Sequence, residues 1–148
     1  MKKLSLSNAE ILQLDEELNG YVNQATREQV KGLLSEPLPI KTKYWLERIN
    51  SQVSSRKTSI EKLRNEIVEK LGDEIDGVKQ IPLTIEEGKG DKKKVVQNPK
   101  LKEFAEEFGK VLDEKEDIDI PVLTIEDLGT ASTQVRLNIF MKLIEEQE

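Results

Sequence analysis

The 148-residue chain contains no cysteine and no histidine, and only 4% of its residues are aromatic. Without cysteine there is no disulfide framework, no thiolate nucleophile and no cysteine-bound zinc or iron–sulfur site. Without histidine there is no Ser-His-Asp triad, no imidazole base and no histidine metal ligand. These absences exclude most familiar catalytic arrangements, and we predict that the protein is not an enzyme and holds no cofactor or metal.

Charged residues are abundant, with 23 Lys and Arg against 29 Asp and Glu, which gives a formal net charge of −6. They make up 35% of the chain, above the roughly 25% of ordinary globular domains, so we expect long solvated helices around a thin core. The net negative charge repels nucleic acid, and direct nucleic-acid binding is not expected. No apolar run approaches the roughly 18 residues of a membrane span. We therefore expect a soluble protein with no membrane partner.

The segment before residue 39 predicts two short helices. Leu4–Asn8 alternates apolar and polar residues, as a short strand or the lead-in to a helix does. Ser7 or Asn8 can cap a first helix whose apolar residues recur at Ile11, Leu14 and Leu18. A second short pattern over residues 26–35 favours a second helix, and the pair Pro37 and Pro39 closes it.

A long helix over about residues 39–71 is the clearest prediction, because no Pro or Gly occurs between Pro39 and Gly72. Apolar residues recur in it at seven-residue spacing, which is typical of a coiled coil. We call the two sets of positions along this stripe the heptad seam. Its a positions are Leu46, Val53, Ile60 and Ile67, and its d positions are Ile49, Arg56, Leu63 and Lys70. Whether the seam pairs within one chain or between chains stays open.

The second half of the chain mixes strands and helices. Residues 73–98 predict a β-hairpin, with Pro82 marking an edge or irregular strand. Residues 99–148 predict a helix, a strand near 118–124 that adds to the hairpin as a third strand, and a last helix over about Ser132–Glu146. The fold class is therefore α+β and mainly helical, in a single domain over 1–148. Residues 1–72 form an antiparallel helical hairpin in this prediction.

Three residues of the long helix are candidates for contact with a partner. Tyr44 and the only Trp, Trp45, lie outside the a and d positions, so they give one flank of the helix a large amphipathic surface. The alternative is that they pack on the first or second helix. Arg56 places a charge in the seam, which is costly unless the charge is paired. It faces a carboxylate of the first helix or of a partner chain, or the seam opens to solvent there.

Two other clusters have ordinary structural explanations. Five carboxylate side chains lie between Asp113 and Asp119, but they lack the spacing of a calcium-binding loop. They are typical of a solvated helix end that is followed by an edge strand. The stretch Gly88–Lys94 has glycines and lysines without the spacing of a phosphate-binding loop. A mobile hairpin tip explains it, with weak contact to an anionic partner as the alternative.

A resemblance rests on four segments. They are Leu38–Leu46, the helix end Glu69–Gly72, the run Glu107–Asp113 and the segment Ile118–Ile125. In this order they resemble a group of small bacteriophage and prophage proteins of unknown function, with an N-terminal helix, a Leu-Pro-(Ile/Val) entry to a long helix, a hairpin and a hydrophobic C-terminal segment. The resemblance implies a phage origin and supplies no catalytic or binding residues.

We therefore expect a non-enzymatic phage protein that acts through protein–protein contacts, in particle assembly or as an oligomeric accessory factor. Its partner is a second copy or another phage or host protein. We expect it in the bacterial cytoplasm or incorporated in the virion. The alternative is an acidic, nucleic-acid-mimicking inhibitor of a host defence or transcription protein, whose binding would depend strongly on salt.

Overall fold

The computed structural model describes residues 2–88, 90–92, 94–129 and 137–145. It confirms the predicted α+β class, mainly helical and with one very long helix. Contacts divide the chain into two compact units. Unit 1 comprises Met1–Thr58 and Glu114–Glu148, and unit 2 comprises Ser59–Asp113. This division falls inside the long helix, where no change in the apolar pattern marks it.

The described residues contain five α-helices and eight strands. The helices are α1 Asn8–Asn19, α2 Ile40–Leu71, α3 Pro99–Asp113, α4 Ile125–Leu128 and α5 Ile139–Glu145. The strands are β1 Lys2–Ser7, β2 Tyr21–Val22, β3 Gln29–Val30, β4 Asp73–Ile75, β5 Val78–Gln80, β6 Thr84–Glu87, β7 Lys94–Gln97 and β8 Lys115–Ile120. They form antiparallel pairs, β1 with β8, β2 with β3, β4 with β5 and β6 with β7. None of the described helices is both long enough and apolar enough to cross a membrane.

Unit 1 joins distant parts of the chain through the pairing of β1 with β8. Their alternating side chains Leu4, Leu6, Ile118 and Ile120 are all buried. Leu4 stands opposite Ile118 in the antiparallel register, so the apolar sets of both strands share one face. The prediction that this strand adds to the hairpin of residues 73–98 is wrong, because its buried isoleucines match the leucines of β1 instead.

Helix α1 begins at the predicted cap. The Ser7 hydroxyl accepts a hydrogen bond from the Glu10 N–H at 3.2 Å, and the Glu10 carboxylate accepts one from the Ser7 N–H at 3.1 Å. This reciprocal capping box satisfies two backbone donors at the helix start. The apolar face that follows, with Ile11, Leu14 and Leu18, is completely buried.

Helix α1 contacts the first part of α2. The Asn19 amide donates to the Asn50 side chain at 2.8 Å, and Lys57 pairs with Asp15 at 2.9 Å. These contacts join α1 to residues 50–57 of α2. Side chains of the seam at Leu46, Ile49 and Val53 are buried in this unit.

The second helix predicted over residues 26–35 is wrong. Strand β3 and a 3₁₀ turn over Leu33–Ser35 occupy this segment. Two glycines explain the path, because they let the chain fold back against the end of α1. A Cβ on Gly32 would lie 2.3 Å from the Gly20 nitrogen, and one on Gly20 would lie 2.3 Å from the Val30 carbonyl oxygen. No larger residue fits this close backbone approach.

Helix α5 is capped by Glu17, a buried residue of α1. Its carboxylate accepts the N–H groups of Asn138 at 2.6 Å and of Ile139 and Phe140 at 3.1 Å each. These donors have no partner within the helix, and the positive end of the helix dipole favours a carboxylate there. Helix α5 accounts for Ile139–Glu145 of the last helix predicted over about Ser132–Glu146, and residues 132–136 and 146 of that prediction lie outside the described residues.

Unit 2 contains two hairpins where the sequence predicted one over residues 73–98. Asp76 and Gly77 form the first turn, both with positive φ values, of 51° and 80°. An Asp-Gly pair with this geometry is the preferred two-residue turn between antiparallel strands. Pro82 follows β5, and since proline cannot donate to a strand ladder, the second hairpin begins only after it.

Asn98, the buried residue directly before α3, joins this helix to the hairpins. The Asn98 side chain accepts from the Lys100 N–H at 3.1 Å and donates to the Pro82 carbonyl at 2.9 Å. The helix itself has no buried residue, although Leu101, Phe104 and Phe108 are half-buried. Unit 2 is thus held by polar contacts at the helix start and by a loosely covered apolar face.

We expect Glu17→Ala to lower the free energy of unfolding by about 2–3 kcal/mol, because three backbone donors of α5 lose a charged acceptor. Glu16→Ala is the matched control, since Glu16 is exposed and its loss should change stability by less than about 0.5 kcal/mol. Urea unfolding measures both variants. An equal effect at the two positions would contradict the assigned cap.

The stability of unit 1 should fall in acid through Glu10. Burial raises the pKa of Glu10, but the hydrogen bond from the Ser7 N–H and the ion pair with Lys142 at 2.9 Å lower it further, so the net shift is downward. The folded state then favours the carboxylate. This stabilisation is fully present above the ordinary carboxyl pKa of about 4.3 and is lost as the pH falls through the lower folded value.

We therefore expect wild type to exceed Glu10→Gln in unfolding free energy at neutral pH, with the difference vanishing in acid. Urea unfolding of both proteins from neutral pH downward measures it. A difference that stays constant over the whole range would show that the charge of Glu10 does not contribute.

Candidate protein-interaction surfaces

Tyr44 and Trp45 lie in the first turns of α2, in unit 1. Tyr44 is 55% exposed, and Ile40, one turn earlier on the same side of the helix, is 84% exposed. Trp45 is half-buried and meets the Tyr44 ring edge to face, with 5.1 Å between ring centroids and 71° between planes. The two rings support each other, and Ile40 and Tyr44 present an apolar strip to solvent. Their role in partner contact stays a prediction.

Arg56 is the most connected side chain of unit 1. Its guanidinium donates to the Asn8 side-chain oxygen at 2.8 and 3.0 Å, to the Leu6 carbonyl at 2.8 Å and to the Glu116 carbonyl at 3.3 Å. It also lies 3.1 Å from the Glu116 carboxylate. The carboxylate that faces this seam position therefore comes from β8, rather than from α1 or a partner chain.

Burial explains the electrostatics of Arg56, whose side chain is only 11% exposed. Burial lowers the pKa of Arg56, and the Glu116 carboxylate raises it part of the way back. The Glu116 side chain is 67% exposed, so solvent screens much of the ion pair. The hydrogen bonds to Leu6 and Asn8 hold the guanidinium in place, and most of its donors are used inside unit 1.

The carboxylate cluster near Asp119 lies mainly on β8. A second side chain of α2, Gln52, pairs with the backbone of this strand. The Gln52 amide accepts from the Asp119 N–H and donates to the Asp119 carbonyl, both at 2.8 Å. The amide thus imitates a neighbouring strand, and the charged residues of β8 sit on a strand edge as expected. Among the described residues, no group of acidic side chains is arranged to hold a metal ion.

The glycine-containing tip near Gly88 joins β6 and β7. It contains a 3₁₀ turn over Gly90–Lys92, and Gly88 and Gly90 have φ values of 99° and 62°. Such backbone conformations favour glycine, which explains why this residue type recurs in the loop. Lys89 and Lys93 lie outside the described residues, so contact of the lysine run with an anionic partner stays a prediction.

A groove between α2 and α3, which we call the unit 2 groove, was missed in the sequence. Its volume is about 410 Å³. The α2 wall consists of Leu63, Glu66, Ile67 and Lys70, and the α3 wall consists of Glu107, Lys110 and Val111. We call its three apolar lining residues, Leu63, Ile67 and Val111, the floor, and its four charged ones, Glu66, Lys70, Glu107 and Lys110, the border. Apolar residues beside charged ones are also found in grooves that bind amphipathic helices.

The heptad seam indicated one wall of this groove and not the other. Leu63, Ile67 and Lys70 are seam positions, so the repeat marked them as a surface for another helix. Leu63 is 42% exposed, whereas Val53 in unit 1 is completely buried. Amphipathicity also marks Val111 on α3, but nothing in a sequence shows that α3 lies beside this half of α2. Lys70 and Glu107 connect the walls through an ion pair of 2.9 Å.

We expect Arg56→Leu to lower the free energy of unfolding by about 2–4 kcal/mol, because two buried acceptors, the Leu6 carbonyl on β1 and the Asn8 side chain on α1, lose their donor. The unfolding free energy of Arg56→Lys should lie between those of wild type and Arg56→Leu, since one ammonium group cannot reach all the acceptors that the guanidinium reaches. The exposed Arg48→Leu on the same helix is the control, with a change below about 0.5 kcal/mol. Urea unfolding measures the free energy of unfolding of all three variants. An unchanged or raised value for Arg56→Leu would contradict the contacts assigned to Arg56.

Searches of protein-family models, of curated proteins and of solved structures returned no match. The resemblance to small bacteriophage proteins therefore stays a prediction, and the functional argument rests on the surfaces of the two units.

Proposed function

We propose that the protein is a non-enzymatic binding protein that acts through protein–protein contacts at the unit 2 groove. In the phage setting implied by the resemblance, such contacts serve particle assembly or an oligomeric accessory role in the cytoplasm of the bacterial host. The chain lacks both histidine and cysteine, and this is why we propose binding and not catalysis.

The thin core of unit 2 carries the proposal. Eighteen apolar residues are buried in the described part of the chain, and only Ile60 and Leu71 of them belong to unit 2. A unit this small buries too little apolar surface to offset the chain entropy comfortably. Binding of another apolar surface would supply the missing burial.

The exposed apolar residues of unit 2 support the same reading. Leu83, Val95 and Val78 are 75%, 69% and 57% exposed, in addition to the half-open Leu63 of the groove. Single exposed apolar residues are common on soluble proteins. Several of them on one small unit, beside a helix with no buried residue, are typical of a surface that binds another protein.

The acidic inhibitor has less support. An inhibitor that imitates nucleic acid needs a surface of one charge sign, because steering depends on the summed field. The exposed charged residues of α2 in unit 2 instead carry both signs, three of each: Glu61, Lys62, Arg64, Glu66, Glu69 and Lys70. Charges of mixed sign suit short-range pairing with another protein surface better than long-range attraction.

Site-specific photo-crosslinking tests the proposed contact. A photo-reactive amino acid replaces Leu63 or Val111 in the groove, in cells that produce the protein naturally. Glu69 on α2 and Lys102 on α3, both exposed and outside the groove, are the matched control positions. We expect irradiation to give discrete crosslinked products, with the protein itself or with another, from the groove positions only.

The same experiment with Ile67→Glu added should lose those products, because a carboxylate on the groove floor opposes apolar packing. Equal crosslinking from groove and control positions, or none from any position, would overturn the proposed function.

A further inference from the structure

We infer that the occupant of the unit 2 groove is the same groove of a second copy of this chain, in a symmetric dimer; this rests on the proposed function and names its partner. In a two-fold pairing each α2 would be both a wall of its own groove and the helix that fills the other. The two α2 segments and two α3 helices would then form a four-helix contact.

The seam explains why α2 fits as the occupant. From Ile60 through Leu63 to Ile67, apolar residues continue at coiled-coil spacing beyond the part of α2 that unit 1 covers. A helix with this spacing packs its side chains into the spaces of a similar helix. The α2 helix that lines the groove of one copy therefore has the spacing of apolar residues that suits the groove of the other copy.

Charge complementarity distinguishes a second copy from other partners. Lys70 and Glu107 are paired with each other across the groove. The remaining border charges are one carboxylate, Glu66 on α2, and one ammonium, Lys110 on α3, and no ion pair of either is found among the described residues. The border is thus neutral and carries one charge of each sign.

A neutral border of this kind is complementary to itself. A two-fold axis can bring Glu66 of one copy to Lys110 of the other, and the reverse pair forms by symmetry. A purely acidic or purely basic partner would meet one attractive and one repulsive charge. A second copy provides an opposite charge for each of the two border charges and an apolar floor of its own.

Charge exchange in purified full-length protein tests the dimer. The variants are Glu66→Lys, Lys110→Glu and the double variant, with Glu69→Lys, Lys102→Glu and their double variant as controls outside the groove. Light scattering on a sizing column gives the mass over a range of protein concentrations, at low and at high salt. Circular dichroism confirms that each variant is folded.

We expect wild type and the controls to be dimers at both salt concentrations. Each single exchange in the groove should raise the dimer dissociation constant by roughly tenfold or more, since two attractive pairs become repulsive. The double variant should recover the wild-type constant. Leu63→Glu should be monomeric.

Mixing the two single variants tests the pairing between copies most specifically. Glu66→Lys and Lys110→Glu are each weakened alone, but together they place two lysines on one copy opposite two glutamates on the other. We expect the mixture to form a dimer of one copy of each variant, which pairing within a single chain cannot produce. Different affinity tags on the two proteins identify this species.

A monomer at every soluble concentration, or a dimer that ignores both the charge exchanges and Leu63→Glu, would overturn this inference. Neither result would overturn the proposed function, because crosslinking from Leu63 and Val111 to a different protein would still support a partner at the groove. Loss of that crosslinking is the separate failure of the proposed function.

Discussion

Unit 1 depends on one guanidinium that joins three distant parts of the chain. Arg56 stands near the middle of α2 and binds the end of β1 at Leu6, the first residue of α1 at Asn8, and β8 at Glu116. Arginine suits this position because its planar, permanently charged group offers several donors in fixed directions. The strand pair, the start of α1 and the long helix are fixed relative to one another at this point, and the buried leucines and isoleucines pack around the result.

Side chains replace missing backbone partners throughout unit 1. Gln52 imitates a neighbouring strand for β8, and Glu17 supplies the acceptor that the start of α5 lacks. Small two-stranded sheets and short helices leave many unpaired backbone groups, and each buried one is costly. Within the described residues no buried side-chain nitrogen or oxygen lacks a partner. The abundance of Glu, Gln, Asn and Arg thus has a structural use beyond solubility.

The local elements could be predicted from the sequence, and the long-range contacts could not. The bounds of α2, the Ser7 cap and the apolar face of α1 follow from spacing and capping preferences that act within a few residues. The pairing of β1 with β8 joins residues more than a hundred positions apart, and several other segments offered a similar alternation. Glu17 resembled any surface glutamate, because its sequence neighbours are acidic and its partners lie more than a hundred residues away. The predicted helix at 26–35 was wrong since the backbone approach of Gly20 and Gly32 leaves no periodic pattern.

The heptad seam posed one question, whether it pairs inside the chain or outside it, and the two halves of α2 give different answers. Leu46, Ile49 and Val53 are covered by unit 1, while Leu63 and Ile67 border an open groove. A repeat in sequence specifies a face and its period, but it does not specify what lies against that face. Arg56 falls where the covered half ends, and its bonds to β1 and β8 close the seam on that side. Beyond it Ile60 is buried in unit 2, but Leu63 stays 42% exposed beside the unit 2 groove, so this half of the seam is only partly covered within the chain. The same groove carries the two charges without an ion pair among the described residues, Glu66 on α2 and Lys110 on α3.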